Sequence, residues 1–231
     1  MPMFSPDADS SPFGDIPPAV VMLAAALILP ELVFQAGQAG FLGGAEGVAY
    51  RSWAMERFGF FDAVFEQWRL TGRAGPDTLW RFVTYGFVPW SLLHALVSVV
   101  LVLAMGKFAS QVFRPWAIWV VFLASLAAGA LVHGLIAGAG TPLLGAYPGA
   151  YGLIGLFTWM RWVVARMRGE NQLAAFAVIL VLVALQSTVS VMDGNWHGFW
   201  PRLAGFATGF GLAWLVVPGG MAALHRRMRG R

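Results

Sequence analysis

Long apolar runs separated by short polar gaps dominate the sequence after residue 18. The first run extends from Ala19 to about Gln35, and Pro30-Glu31 is expected to break it near its end. A second run, without charge, lies between Arg81 and Lys107. The third, from Pro115 to Met160, is too long for a single membrane span of about 17 to 25 residues. Turn-forming residues divide it into two spans at Gly138, Gly140, Thr141, Pro142 and Gly145.

Two further apolar runs complete the pattern. One lies between Glu170 and Asp193, and the other extends from about Leu203 to Val217 and ends at Pro218-Gly219-Gly220. A helix satisfies its backbone hydrogen bonds internally, as any segment that crosses lipid must do. The pattern therefore predicts an all-α, polytopic membrane protein whose six transmembrane helices form one domain over residues 19–222.

The segments outside these runs differ from one another. Residues 1–18 are polar and lack Lys and Arg, which indicates a disordered tail and not a secretory signal. Residues 223–231 form a basic tail. A long first loop covers about residues 38–81, and its aromatic side chains recur at roughly helical spacing. We expect there either an amphipathic helix in the membrane interface or a surface helix packed on the bundle.

Composition supports the membrane assignment. Of 231 residues, 58% are hydrophobic and 11% are charged, against about 25% charged in soluble domains. A pI of about 10.1 would suit a nucleic-acid-binding protein only if the basic residues formed a stripe on a soluble face. They lie instead between the apolar runs, so we expect no nucleic-acid partner. The chain has no cysteine, which excludes disulfides and a cysteine nucleophile.

The basic residues also predict the orientation in the membrane. They follow the second, fourth and sixth spans, whereas the short loops on the opposite side carry few of them. Both termini are then expected in the cytoplasm, and the short loops suit a bacterial inner membrane. The residues concerned are Lys107, Arg114, Arg161, Arg166, Arg168, Arg226, Arg227, Arg229 and Arg231.

Small residues recur every three or four positions at the start of the fourth span, where they allow another helix to approach closely. The stretch reads Gly145-Ala146-Tyr147-Pro148-Gly149-Ala150-Tyr151-Gly152-Leu153-Ile154-Gly155. It resembles the nucleophile helix of rhomboid intramembrane proteases, usually written G-A-S-G-x-x-F/Y-G-x-x-G. The residues that match are Gly145, Ala146, Tyr151, Gly152 and Gly155. Tyr147 stands at the position of the nucleophilic serine, and Pro148 at that of the following glycine.

Three other motifs extend the resemblance to roughly residues 78–217. The family's Trp-Arg pair before the second span corresponds to Trp80-Arg81. Its His-x4-His-x3-Asn pattern, which helps to stabilise the oxyanion, reads Pro89, His94 and Ser98 here. In the sixth span, the catalytic histidine and the two glycines that follow it become Arg202, Gly205 and Gly209.

The resemblance implies a six-helix rhomboid-like bundle without the family's catalytic pair. Arginine stays protonated, so Arg202 cannot accept a proton from a nucleophile. A tyrosine phenol, with a pKa of about 10, is a poor nucleophile without a base beside it. An oxyanion donor such as His94 contributes about 2.7–4 kcal/mol, far less than the about 8–23 kcal/mol that enzymes supply. We therefore predict that no residue is catalytic.

The paired substitution has a structural interpretation. Arg202 is expected to lie over the Tyr147 ring, within about 6 Å of it, and to join the fourth and sixth helices. Gly205 and Gly209 form a GxxxG step that suits close packing of the same helix pair, opposite the small face that includes Gly149.

The remaining histidines are weaker candidates. His197 precedes Arg202 by five residues and is a substitute base only if its loop turns it toward Tyr147. His133 falls inside the third span, where a hydrogen bond to the backbone or to a serine is the commoner role, and haem ligation by His94 and His133 is not supported by spacing. No acidic residue is expected deep within a span. We predict neither a metal site nor a cofactor.

Three functions fit these observations. The first is a non-catalytic protein that binds transmembrane segments of other membrane proteins in quality control, trafficking or regulation, as the family's derlins and inactive rhomboids do. The second is an active rhomboid serine protease with a non-standard site. The third is an accessory subunit of a larger membrane complex, which 11 Trp and 18 Phe residues would suit. We favour the first, with such segments and the lipid bilayer as partners.

Overall fold

The computed structural model describes residues 16–73, 75–136, 141–193, 196 and 198–218. Over these residues the protein is all α, with three short 3-10 helices and one isolated β-bridge. Its α-helices, in chain order, are α1 Pro18–Gln38, α2 Tyr50–Phe58, α3 Asp62–Thr71, α4 Pro76–Thr84, α5 Leu92–Ala109, α6 Pro115–Ile136, α7 Tyr147–Arg168, α8 Ala177–Asp193 and α9 Phe199–Val216.

Three helices of the described chain, α1, α5 and α6, are long and apolar enough to cross a membrane. The helices α7, α8 and α9 correspond to the other predicted spans, but they fall short in length or in mean hydropathy. The count of six spans therefore stays a prediction. The proposed tails and the glycines Gly138 and Gly140 lie largely or wholly outside the described residues.

The prediction that Pro30-Glu31 breaks the first helix is wrong. The helix α1 continues through Pro30 to Gln38, because a proline removes only one backbone hydrogen bond and packed neighbours can compensate for that loss. The expectation that no acid lies deep in a span stays a prediction, because Glu31 lies close to the predicted end of the first span. Glu31 has no exposed surface and bonds to Arg51 of α2.

Two helix boundaries also differ from the predictions. The uncharged stretch after Arg81 contains the end of α4 and the 3-10 helix Tyr85–Phe87 before α5 begins at Leu92. The last helix begins at Phe199 and not at Leu203, so Arg202 belongs to its first turn. Charge alone did not locate these boundaries, because apolar residues also fill the connections.

The helix α7 lies at the centre of the bundle and packs against α5, α6 and α9. Its contact with α9 depends on glycine. A Cβ atom on Gly205 would collide with the Pro148 carbonyl oxygen, and one on Gly209 would collide with that of Gly152. A Cβ on Gly155 would meet the Phe206 carbonyl. The backbones of α7 and α9 therefore lie in direct contact, as the small-residue spacing predicted.

Glycines of α7 also contact α6. A Cβ on Gly152 would also reach the Ser125 hydroxyl, and one on Gly149 would lie 2.6 Å from the Phe122 ring. By contrast, Ile179 is the single buried residue in the part of α8 whose side chains are described. The helix α8 is thus attached to the bundle much more loosely than α9.

The first loop folds on the bundle through α3. Phe65 of α3 is buried, and its ring packs against Phe60, Trp68 and Phe82. A Cβ on Gly134 of α6 would lie 2.6 Å from the Phe65 ring. These contacts favour the surface helix packed on the bundle over a helix lying free in the membrane interface.

Candidate functional site

Three helices begin at the same end of the bundle, and each contributes a side chain to the site. His94 is in the first turn of α5, Tyr147 is the first residue of α7, and Arg202 is in the first turn of α9. The N-termini of long helices carry partial positive charge, and none of these three has an acidic residue in its first turn. The site is therefore electropositive.

The Tyr147 ring joins the three side chains. The His94 ring stacks on it, with centroids 4.2 Å apart and an angle of 15° between the planes. The Arg202 guanidinium carbon lies 4.7 Å from the centroid of the Tyr147 ring. This distance is within the 6 Å limit of a cation–π contact, so the structure contains the contact that the paired substitution suggested.

Gly145 was expected both in the turn between the third and fourth spans and on the small face of the fourth, and the structure places it in the turn, before α7. It precedes Tyr147 in a left-handed conformation with φ of +86°, and its N–H donates to the Tyr85 carbonyl over 2.9 Å. A Cβ atom there would collide with Nε2 of His94. Glycine is thus required both by the backbone angle and by the close approach of the imidazole.

The serines near His94 bond to its backbone and not to its ring. Ser91 caps α5 and accepts from the His94 N–H over 3.3 Å. Ser98, at the oxyanion-type position, donates its hydroxyl to the His94 carbonyl over 2.8 Å and is 2% exposed. Its only donor is therefore used within α5 itself.

Two polar atoms of the site are buried without a hydrogen-bond partner among the described residues, Nε2 of His94 and Nη1 of Arg202. Ion pairs in that part of the chain join Arg51 to Glu31, Arg57 to Asp77 and Arg168 to Glu170, and none of them includes Arg202. The described part of the chain therefore supplies Arg202 with an aromatic face and no anion.

Arg81 of the Trp-Arg pair holds the first loop together. Its guanidinium donates to the carbonyls of Glu56 and Gly59, over 2.7 Å and 2.6 Å, and so satisfies orphan carbonyls at the end of α2. Burial lowers the pKa of Arg81, and the nearby Asp77 carboxylate opposes that shift. The partner residue Trp80 is partly exposed and packs under the guanidinium of Arg57 at 5.0 Å.

Sequence reasoning missed an ion pair beside the site. Arg51 donates to both carboxylate oxygens of Glu31, over 2.8 Å and 2.9 Å, and to the Pro89 carbonyl over 2.9 Å. By the resemblance, Pro89 stands at the position of the family's first histidine, and the bond to its carbonyl fixes the segment that leads into His94. A glutamate inside an apolar run was the available signal, since a buried carboxylate requires a partner.

The loop before α7 is held by the first loop. Phe60 and Leu143 exchange two backbone hydrogen bonds, of 3.2 Å and 2.8 Å, in the isolated bridge. The Tyr85 hydroxyl donates to the Leu126 carbonyl over 2.8 Å, and burial raises the pKa of that phenol, so it stays neutral. These bonds position Tyr147 at the start of α7.

Of the other histidines, the structure describes His133. His133 is 3% exposed, and its Nε2 lies 3.1 Å from the Thr141 carbonyl, which agrees with the backbone hydrogen bond expected for it. His197 lies outside the described residues. No group of three or more His, Asp or Glu side chains in the described chain has the arrangement of a metal site.

The geometry limits the proton chemistry available to His94. Imidazole nitrogens accept hydrogen bonds in the plane of the ring, and the His94 plane is nearly parallel to that of Tyr147. The stacked imidazole therefore does not direct a lone pair at the phenol hydroxyl. The arrangement suits binding through charge and aromatic surface.

Comparison with protein families gives a match to the Rhomboid domain over residues 76–219, well over half of the chain. The matched region begins at α4 and includes His94, Tyr147 and Arg202. Comparison with curated proteins finds no match.

Proposed function

Because the chain belongs to the rhomboid family, we propose that it is an integral membrane protein that has lost proteolysis and instead binds transmembrane segments of other membrane proteins. The observation that carries this proposal is the Tyr147 ring, which stacks on His94 and lies under Arg202 at the positions of the family's nucleophile and base. The first loop, packed on the bundle, and the close glycine contacts between α7 and α9 are nevertheless present.

Serine-type acyl transfer requires a nucleophile beside a group that accepts its proton and later returns it. Arg202 can only donate hydrogen bonds, and its guanidinium lies over the face of the Tyr147 ring. Ser98 uses its hydroxyl on a backbone carbonyl. The described site therefore offers no pair in which one group accepts the proton of the other.

Binding of a transmembrane segment requires apolar surface next to the site. The loosely attached α8 exposes Leu180, Val181 and Leu185, which are between 62% and 66% exposed, but its first turns lie toward the opposite end of the bundle. Next to the site, the first turns of α5 expose Leu93 and Leu96. A partner helix docked there would exchange lipid contacts for protein contacts. We propose the bacterial inner membrane as the location, with the basic ends of α5 and α7 in the cytoplasm.

The test of lost proteolysis is direct. The purified protein is incubated with a model single-span rhomboid substrate and, separately, with a fluorophosphonate probe, with an active rhomboid protease prepared in the same detergent as the positive control. We expect neither cleavage nor labelling. Cleavage or labelling that disappears in Tyr147→Phe would show that the chain is a protease with a non-standard site.

A second measurement distinguishes a transient binder from an accessory subunit. Extraction in mild detergent followed by co-purification should recover partners in variable, substoichiometric amounts. One partner recovered at a constant ratio would favour the accessory subunit.

A further inference from the structure

Building on the proposed function, we infer that Arg202 binds a carboxylate and so selects partner segments that carry Asp or Glu close to the end of the bundle where α5, α7 and α9 begin. The inference starts from charge. Removing a guanidinium from water is costly unless an anion accompanies it, and Nη1 of Arg202 is buried without an acceptor among the described residues.

The surroundings of Arg202 compensate its charge only in part. The Tyr147 ring at 4.7 Å supplies a cation–π contact, which is weaker than a charge-assisted hydrogen bond. The guanidinium also lies close to the backbone before α9, where a Cβ on Gly198 would lie 3.4 Å from Nη2. None of these groups carries negative charge.

The field of the surrounding helices adds to the positive charge of the guanidinium. The three N-termini that meet here lack acidic residues in their first turns, and the Glu31 carboxylate beside the site is paired with Arg51. The Arg202 side chain is partly exposed although Nη1 is buried.

A carboxylate fits this arrangement better than other anions in a membrane protein partner. The guanidinium presents parallel N–H groups that match the two oxygens of a carboxylate. In the first turns of α5, which begin at the same end of the bundle, Leu93 and Leu96 are 71% and 45% exposed. An apolar helix with one acid would therefore find both charge and apolar surface. Because Nη1 has no acceptor in the described chain, turning it toward such a ligand breaks no hydrogen bond there.

The experiment uses two dansyl-labelled single-span Leu/Ala peptides that differ by one residue near one end, Glu in one and Gln in the other. Binding to the full-length protein is measured by fluorescence in phosphatidylcholine nanodiscs. We expect the Glu peptide to bind about tenfold more tightly than the Gln peptide, the size of a hydrogen-bonded charge contact. Arg202→Gln should abolish the preference, Arg202→Lys should keep part of it, and Arg161→Gln, an exposed arginine in the second half of α7, should leave it unchanged.

Each result has a defined meaning. Equal binding of both peptides to the wild type and to Arg202→Gln would overturn the carboxylate inference and leave the proposed function standing. If neither peptide binds, both the inference and the proposed binding function fail. A further set of nanodiscs contains phosphatidylglycerol. If binding of this lipid depends on Arg202 while binding of the Glu peptide does not, the site binds a lipid phosphate and the inference is wrong. Thermal unfolding of each variant verifies that it is folded.

Discussion

Two arginines at the same end of the bundle meet different surroundings. Arg51 lies over the Phe34 ring at 5.0 Å and also bonds to Glu31 and to the Pro89 carbonyl. Arg202 lies over the Tyr147 ring at 4.7 Å and finds no anion among the described residues. Both use an aromatic face, but the described chain neutralises only the first. A charge paired within the chain stabilises the fold, whereas an unpaired one is available for binding.

The family comparison sharpens this difference. By the resemblance of the motifs, Arg202 stands at the position of the family's catalytic base, and Pro89, whose carbonyl Arg51 bonds, stands at that of its first histidine. Arg202 thus replaces the side chain that would accept a proton, whereas Arg51 supports the backbone at Pro89. Three substitutions test the comparison, and we take them from the largest expected effect to the smallest.

Removing Arg51 should have the largest effect on stability. Arg51→Met leaves the fully buried Glu31 carboxylate without its cation, which typically costs about 3–5 kcal/mol of unfolding free energy. The matched control is Arg57→Met, since the Arg57–Asp77 pair is 3.5 Å long with side chains 46% and 59% exposed, and should cost less than about 1 kcal/mol. Denaturant unfolding in detergent measures both. Equal losses of unfolding free energy in the two variants would mean that the buried Glu31–Arg51 pair contributes no more to stability than the exposed Arg57–Asp77 pair.

Widening the contact between α7 and α9 should have an intermediate effect. Gly209→Ala places a methyl group against the Gly152 carbonyl, and overpacking of this kind costs about 1–3 kcal/mol. Gly211→Ala, two residues along α9, meets nothing within 4 Å and should be neutral or slightly stabilising. The same unfolding measurement compares the two. A similar result for both would show that the contact of Gly209 with the Gly152 carbonyl does not limit stability.

The sequence predicted the six long helices in their order, because long uncharged runs and helical spacing are local properties, but it did not predict α2 or α4. It also predicted which helix pair packs closely, since glycine spacing on α9 matches the small face of α7. The contact between Arg202 and Tyr147 followed from the resemblance, which related two positions far apart in the chain. No local pattern would have related them.

What the sequence did not predict depends on tertiary pairing. Glu31 and Arg51 are 20 residues apart, and only the folded first loop brings them together. Gly145 was predicted both as a turn residue and as part of a helical face, and its left-handed backbone just before α7 agrees with the turn. The sequence also did not predict that the side chains of Arg81 and Ser98 donate to backbone carbonyls, because any carbonyl in the chain is a chemically equivalent acceptor.

Removing Arg202 should have the smallest effect on stability. Arg202→Met deletes a charge that has no anionic partner in the described chain, and relief of its desolvation offsets the lost cation–π contact. We therefore expect the unfolding free energy to change by less than about 1 kcal/mol, in either direction, in the same detergent in which Arg51→Met is strongly destabilising. A loss as large as that of Arg51→Met would mean that Arg202 has an internal partner. Arg202 would then belong to the fold, and the basis for carboxylate selection would disappear. A neutral result leaves the guanidinium without a structural reason to be buried, which is the condition that binding requires.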